Sequence, residues 1–597
     1  MPLEPFEPIL LIIGMGLISI PGIMISYAFS QRCSILERIA FGFIITLSLF
    51  GLVPYLFNFF FQFPITENIT FFIFVLYLIS GIIVYSIQLF FKGLPDINFK
   101  SNITPHHGIL LLILIFTGIM AFLPHFSNHY YLPFHVDEWV HWTYTRSVIE
   151  SAATTFPNPY LGTGVKSSPE IGFHITTASL HFILQRSFLT IFLYMPTLIM
   201  ITLSLVAYNI GQRSTRPFGL EAAFLIGFIP TTTQSLGPSF YVASTLGLLL
   251  FLFLIWIIQQ KQFILTLLII PISWSLFLIH PPTSFAAILI IFLYATFQIL
   301  YKDIKPGLTT IAAGILITIP PIVTYLIPSR WQREMNTLFE GFLNQEYLEG
   351  FIIGIELEHL GLFTWALFFI GIYFCYIHGQ SLKKFLSISV ISFFIIIGLY
   401  SIISYGVPII YQRSFLYLYL LVVLIAAIGL NEFRKTLSKI IYRRLPNQFN
   451  QIKKQSNHII TFILIIILIG TIIPGHINIP YYQMITEEDY TTFTWIHDNI
   501  DSYHHDNQSY TKAAVNPYKA SPFSAITGLT IYTSNMHPRI RPNKQAEMFE
   551  YLQNKCNNTK FLDKYDIDVI YGECYHDNLT MIYPNVYLYP KPSKYKD

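Results

Sequence analysis

The sequence predicts a polytopic α-helical membrane protein with a separate α/β domain at its C-terminal end. Three observations carry this reading. Of 597 residues, 53% are hydrophobic and only 11% charged, against about 25% charged in a soluble protein. Mean hydropathy is +0.55, and the apolar residues fall in runs of roughly 20, the length that crosses a ~30 Å hydrocarbon core. From about residue 475 onward the composition turns polar and the long runs stop. The same numbers exclude disorder, coiled coil and collagen-like repeats. A net charge of +3 is too small to call for nucleic acid as a partner. The lipid bilayer is the partner the composition demands, and 17% aromatic residues suit rings that face lipid and its interface.

Hydropathy places about fourteen spans, near 9–29, 38–60, 69–91, 108–124, 190–210, 219–235, 240–259, 263–280, 284–301, 307–327, 360–378, 385–403, 412–430 and 458–474. Each is expected to be helical, because an isolated strand leaves its backbone polar groups unpaired in lipid. Orientation follows from the Lys/Arg bias. Asn431 to Asn457 holds Arg434, Lys435, Lys439, Arg443, Arg444, Lys453 and Lys454 against one acid, Glu432, which puts it in the cytoplasm. Counting back, the loops carrying Lys383/Lys384, Lys302/Lys305, Arg213/Arg216, Lys92/Lys100 and Arg32/Arg38 also fall inside. Both termini then lie outside a multi-pass cell-membrane protein. Loops at 125–189 and 328–359, a turn at 404–411 and the tail 475–597 lie outside too. The acidic start shows no basic n-region and no A-x-A site, so no cleaved signal peptide is expected. Ile171 to Leu184 is apolar enough to span, but counting it would move Arg213 and Arg216 outside. It is therefore expected to be an interfacial or re-entrant helix on the outer face.

In the tail, Thr486-Glu-Glu-Asp489 reads as a cap and acidic first turn of an amphipathic helix with Trp495 and Ile496. Strands are expected at Ala513–Val515, Leu529–Tyr532, Ile567–Tyr571 and Val586–Tyr589, and a helix near Lys544–Leu552. Four cysteines are too few for a disulfide scaffold, and no zinc spacing is present. Cys375 sits in an apolar run and reads as core. Cys556 and Cys574 share the external tail, where a disulfide between them is expected. Sequons at Asn68, Asn507, Asn557 and Asn578 are open to glycosylation.

One stretch stands out for chemistry: His135-Val-Asp137-Glu138-Trp139-Val-His141-Trp142, just beyond a span. Aromatic rings at a membrane surface are expected to desolvate a carboxylate partly and raise its pKa, which suits a general base for a hydroxyl proton. An interfacial helix cap would show the same pattern. Arg413, in Tyr411-Gln-Arg413, stands at the outer mouth of a span against the positive-inside trend. Its planar guanidinium suits a lipid-linked phosphate, and a snorkelling side chain is the plain alternative. His280-Pro-Pro-Thr-Ser284 marks either a pocket-lining His or a simple helix break. The outer segment Arg330 to Glu358 carries Arg330, Arg333, Glu340, Glu346, Glu349, Glu356 and Glu358 and is long enough to cover a substrate. His125, His129, His135 and His141 cluster near Asp137 in no standard zinc spacing. P-loop, dinucleotide-binding and nucleophile-elbow motifs are absent from the sequence.

In this order the residues resemble the GT-C superfamily of polytopic glycosyltransferases, of archaeal and bacterial type. The resemblance rests on Asp137-Glu138 in the first large external loop, on Ser168-Pro169 leading to Gly172-Phe-His-Ile-Thr-Thr-Ala, and on the basic turn Gly211-Gln-Arg-Ser-Thr-Arg216. It continues through Arg413-Ser-Phe-Leu to Glu488-Asp-Tyr, Trp495-Ile and Ala525-Ile-Thr-Gly528 in the tail. It implies three extra N-terminal helices over 1–107, a transmembrane catalytic core over 108–474 and an external α/β domain over 475–597. It also implies a polyprenyl-phosphate-linked sugar as donor, and a glycan, lipid or protein hydroxyl as acceptor. In that scheme Asp137 is the base or a metal-coordinating group, Glu138 and His141 are its neighbours, and Arg413 holds the donor phosphate. Tyr411, His280 and His135 line the substrate site. A divalent metal ion is a possible cofactor whose ligand set the sequence leaves incomplete. No second acidic motif is evident near Pro238-Ser-Phe-Tyr241, and no WWDYG-like motif occurs, which favours a single-sugar transferase over an enzyme that modifies Asn. The rival reading is a transporter or flippase of lipid-linked glycans. It predicts midplane charges and paired broken helices, and the spans are nearly free of such charge. A receptor or scaffold has little need of so many spans.

Overall fold

Where the sequence runs apolar the chain is helical, since a helix satisfies its own backbone without water. The computed structural model describes residues 6–29, 34–92, 105–166, 168, 170–214, 217–233, 235–260, 268–326, 357–378, 381–403, 408–444, 450–503, 510–533 and 542–590. Four helices come first: α1 (Glu7–Phe29), α2 (Ile35–Phe61), α3 (Glu67–Lys92) and α4 (Pro105–Asn128). Between α4 and the next long helix lie α5 (Val136–Ser151), a short β1–β2 pair (Phe156–Pro157, Val165–Lys166) and α6 (Ile171–Leu184). Then follow α7 (Phe188–Gln212), α8 (Gly219–Ile226), α9 (Ala243–Gln260), α10 (Ile269–Ile279), α11 (Pro281–Leu300) and α12 (Ile304–Leu326). The last four are α13 (Gly361–His378), α14 (Ser381–Ile403), α15 (Pro408–Arg444) and α16 (Asn450–Ile477).

Among the described residues nine helices are long and apolar enough to cross a membrane: α1–α4, α7, α11 and α14–α16. The protein is thus a multi-pass membrane protein. Shorter apolar helices, α9, α10, α12 and α13, take four more of the fourteen expected positions. The remaining one, 219–235, is not a continuous helix. α8 ends at Ile226, and Pro230, Gly237 and Pro238 keep the backbone irregular up to Ala243. Those residues are almost all buried, the setting in which non-helical backbone is tolerated within a membrane protein. α6 has the expected bounds, but Ile171 to Leu180 are enclosed by protein, against α2, α5 and α10, and do not lie open on a surface. α15 is buried from Ser414 to Glu432 and packs on α13, α14 and α8. The segment 328–356, with six of the seven charges named above (Arg330 to Glu356), lies outside the described residues.

Loops expected on one side of the membrane meet one another. Arg213 pairs with Glu37 at 2.5 Å and Arg434 with Glu221 at 2.9 Å. At the opposite end Arg186 pairs with Glu7 at 3.0 Å. Close packing there depends on missing side chains. A Cβ on Gly51 of α2 would come within 2.9 Å of the Gly172 carbonyl oxygen in α6, and one on Gly172 within 2.7 Å of Leu278 Cβ in α10.

The C-terminal part forms a five-stranded mixed sheet, β4-β3-β5-β7-β6, from β3 (Lys512–Val515), β4 (Thr530–Ile531), β5 (Val569–Tyr571), β6 (Thr580–Tyr583) and β7 (Val586–Leu588). β3 pairs in parallel with β4 and β5, and the β5–β7–β6 side is antiparallel. Its helices are α17 (Glu487–Asn499), α18 (Ala520–Thr527), α19 (Pro542–Gln553) and α20 (Thr559–Tyr565). Alternation decides the faces. Ala513, Val515 and Val569 join the large core with Phe493 and Phe523, whereas Ala514 and Ile570 turn to a smaller core with Met548, Tyr551 and Phe561. Cys556 and Cys574, in that smaller core, are disulfide-bonded with Cα atoms 5.1 Å apart.

Candidate active site

The site begins at the first turn of α5. His135 is its N-cap: Nδ1 accepts the Asp137 backbone N–H at 3.1 Å, and Nε2 lies 3.0 Å from the Thr233 carbonyl oxygen. Both bonds form only on a neutral ring protonated at Nε2. Glu138, three residues on, accepts the backbone N–H of His135 and, on its other oxygen, that of Tyr241, each at 3.0 Å. Its carboxyl is buried, and burial raises it to about 7 despite those bonds. Glu138 therefore ties α5 to the irregular 227–242 segment, where no second acid was evident from sequence.

Asp137 is left free of the cap and turns to Arg413. Oδ2 lies 3.7 Å from Arg413 Nη2 and 3.9 Å from His135 Nδ1. Both distances exceed a hydrogen bond. The Asp137 side chain is 32% accessible although protein packs densely around it, the condition of a carboxylate lining a recess. Burial pushes its carboxyl up, but His135, Arg413 and His141 together outweigh that and hold it below its ordinary value. His141 is itself pushed down to about 4 by burial, and His135 is lowered for the same reason. At neutral pH, then, Arg413 is the neighbour that keeps Asp137 ionised.

Arg413 is contributed by α15. Its side chain is 11% accessible, and its Nε and Nη1 are buried with no hydrogen-bond partner. A guanidinium normally spends these donors on carboxylate, carbonyl or phosphate oxygens, and leaving them unmet costs about 1–3 kcal/mol or more for a charged group. Tyr411, two residues earlier, packs face to face on Tyr400 with ring centroids 4.1 Å apart, and its hydroxyl accepts from Ser401 at 3.4 Å.

Glu170 joins these residues and was not singled out from the sequence. Its oxygens lie 3.7 Å from His141 Nε2 and 3.7 Å from His280 Nε2. Burial raises its carboxyl to about 8, with the Asp137 charge adding to the rise and Arg413 opposing it. His141 Nδ1 lies 3.0 Å from His174 Nε2. On the far side His280 Nδ1 meets Thr283 Oγ1 at 2.5 Å, and Thr283 Oγ1 meets the Tyr417 hydroxyl at 2.5 Å. His135, Asp137, His141, His280 and Arg413 thus share one cluster. Glu138 faces backbone, and Tyr411 faces Tyr400. Glu170 stands at the N-cap of α6 but makes no side-chain cap bond, so its carboxyl is left to His141 and His280, which the sequence alone does not signal.

A metal ion is a poor fit to this donor set. Among the described residues no three His, Cys, Asp or Glu side chains are grouped to hold one. Asp137 faces Arg413, and Glu170 faces two histidines.

No family model matches the chain, and no curated protein matches it. Solved structures do. The oligosaccharyltransferase of Archaeoglobus fulgidus in its apo form is 10% identical, at TM-score 0.48, over 79% of this chain and 70% of that one. The archaeal oligosaccharyltransferase AglB from the same organism, in complex with an inhibitory peptide and a dolichol-phosphate, is 11% identical, at TM-score 0.49, over 79% and 69%. A complex of the A. fulgidus enzyme with Zn and sulfate is 12% identical, at TM-score 0.48, over 77% and 67%. This is a likeness of overall arrangement, and what the site does is read from its own residues.

Proposed function

We propose that this protein is a membrane glycosyltransferase that moves a sugar from a polyprenyl-phosphate donor to an acceptor hydroxyl on the outer face of the membrane. One observation carries the reading. Arg413 offers two unmet guanidinium donors beside a loosely paired, part-accessible Asp137. The anionic oxygens of a phosphodiester can accept from these donors, and such charge-assisted bonds are roughly twice as strong as neutral ones.

The steps follow from charge. When the donor phosphate binds, Arg413 turns its donors to the phosphate. Asp137 loses its cation and gains an anionic neighbour, so its basicity rises at the moment a base is needed. Asp137 then takes the acceptor hydroxyl proton as the acceptor oxygen forms its bond to the anomeric carbon. The bond from that carbon to the phosphate oxygen breaks, and the electron pair leaves with the polyprenyl phosphate, whose charge Arg413 stabilises. Attack comes from the side opposite the phosphate, so the configuration inverts. Glu138 and His135 hold the first turn of α5 in place, while His141 and His280 flank Glu170 at the edge of the site.

The test uses full-length protein in nanodiscs with polyprenyl-phosphate-linked sugars. Arg413→Ala is expected to weaken donor binding by about 10–100-fold, the loss of a charged hydrogen-bond set. Unchanged donor affinity overturns the phosphate role. Tight donor binding by the native protein with no transfer to any hydroxyl acceptor points instead to a transporter or flippase.

A further inference from the structure

α5 has two working ends. Its first turn holds Asp137, and its last turns hold Arg146. Nine residues at 100° each place Arg146 on the face opposite Asp137, about 13 Å along the axis. Its partners belong mostly to the C-terminal domain. Arg146 Nη1 donates to the Ile526 carbonyl at 2.6 Å and to that of Ala525 at 3.5 Å. Nη2 lies 3.3 Å from His497 Nδ1 in α17, and Nε donates to Glu150 at 2.6 Å.

The receiving end is shaped for it. Ala525 and Ile526 lie in the last turn of α18, where unpaired carbonyls and the negative end of the helix favour a cation. Gly528 closes α18 in the left-handed region, with φ of 80°. A Cβ there would collide with the Arg146 guanidinium. Glycine is thus required twice, for the backbone angle and for the approach of Arg146. This accounts for Ala525-Ile-Thr-Gly528, a tail motif that the transfer chemistry leaves unused. Further ties run alongside. The Tyr160 carbonyl accepts the Ile531 N–H at 2.9 Å, and the Tyr130 hydroxyl donates to the Ile485 carbonyl at 2.9 Å. Tyr481 donates to the Thr231 carbonyl at 3.1 Å and packs on Phe134, next to His135, with centroids 4.9 Å apart.

We infer that Arg146 is a positioning residue: the C-terminal domain grips α5 through it and thereby sets where Asp137 stands relative to Arg413. The kinetic consequence rests on the transferase reading above, whereas the grip itself does not. The experiment therefore carries two readouts, both on full-length protein in nanodiscs. Hydrogen exchange over 137–151 reports the grip directly. Arg146→Ala is expected to speed exchange there at least tenfold with exchange in α15 unchanged, and Gly528→Ala to do the same from the other side. In transfer assays Arg146→Ala is expected to lower kcat by about 10–100-fold, the cost of a misplacement near 1 Å, with donor KM within twofold. Guanidinium ion in the buffer should restore part of the lost rate in Arg146→Ala and none in Asp137→Asn. Native exchange in both variants overturns the grip whatever the reaction proves to be. Faster exchange with native kcat, or a lost kcat that guanidinium leaves untouched, overturns the positioning role. If native protein transfers no sugar, the transferase reading fails while the exchange data still decide the grip. Should Arg146→Ala misfold, Arg146→Lys and Gly528→Ala serve the same comparison.

Discussion

Two helices in this molecule open in the same way and put their acids to different use. α5 and α17 each begin with a capping box, closed by Glu138 in one and Asp489 in the other. Asp489 is fully engaged. It accepts the Thr486 N–H at 2.8 Å, the Thr486 hydroxyl at 3.1 Å, Lys519 Nζ at 2.7 Å and the Tyr571 hydroxyl. Its one cation is met at hydrogen-bond distance. Asp137, also a first-turn acid, sees its cation only at 3.7 Å, and that cation keeps two donors unmet. A carboxylate with every lone pair spent holds a fold together. One with a loose partner and open access is available to a ligand. Distance and satisfaction separate the two roles where residue type and helix position do not.

The sharpest way to break this contrast is to remove one charge from each helix. Asp137→Asn is expected to lower kcat by about 10²–10⁴-fold, the usual worth of a positioned base, with thermal unfolding unchanged. Near-native transfer by this variant, measured with labelled donor, removes the base assignment. Asp489→Asn should do the reverse. It leaves Lys519 and Tyr571 poorly matched and is expected to cost about 1.5–3 kcal/mol of domain stability, read as a lower unfolding temperature of the C-terminal sheet. Equal unfolding of the two variants would erase the distinction between the two acids.

A smaller effect sharpens it. Glu170, raised to about 8, is protonated at pH 7 and ionises as pH passes its raised value. Its anion then stands near Arg413 and repels the donor phosphate. Donor KM is therefore expected to rise several-fold between about pH 7 and 9. Glu170→Gln should flatten that limb. A limb that persists in Glu170→Gln assigns it to another group.

Much of this was legible in the sequence because lipid imposes a single solution on long apolar runs. Helices such as α2, α7 and α15 follow from hydropathy alone. The 219–235 run misled because a hydropathy window averages over Pro230, which breaks helical continuity without much lowering the apolar content. In the tail the Thr486 cap and four strands were readable from pattern. β6 was not: its residues are half-exposed to exposed, with Met581 62% accessible, so it shows no buried alternation. At the site, Asp137 and Arg413 stood out by chemistry, each breaking a local expectation. Glu170 did not, since an acid before a helix ordinarily reads as a cap. Only the packing of α6 against α10 brings it to His280.

That packing has a consequence for the first hundred residues, which look from sequence like an addition to the core. α6 is pressed between α2 and α10 at Gly51, Gly172 and Leu278, with no room for a methyl group on either glycine. Glu170 lies two residues upstream of that pinch. The N-terminal helices therefore act as a buttress. Whatever loosens α2, even on the far side from the recess, lets Glu170 drift, so the cluster around Asp137 inherits its tolerances from a part of the chain that supplies none of its side chains.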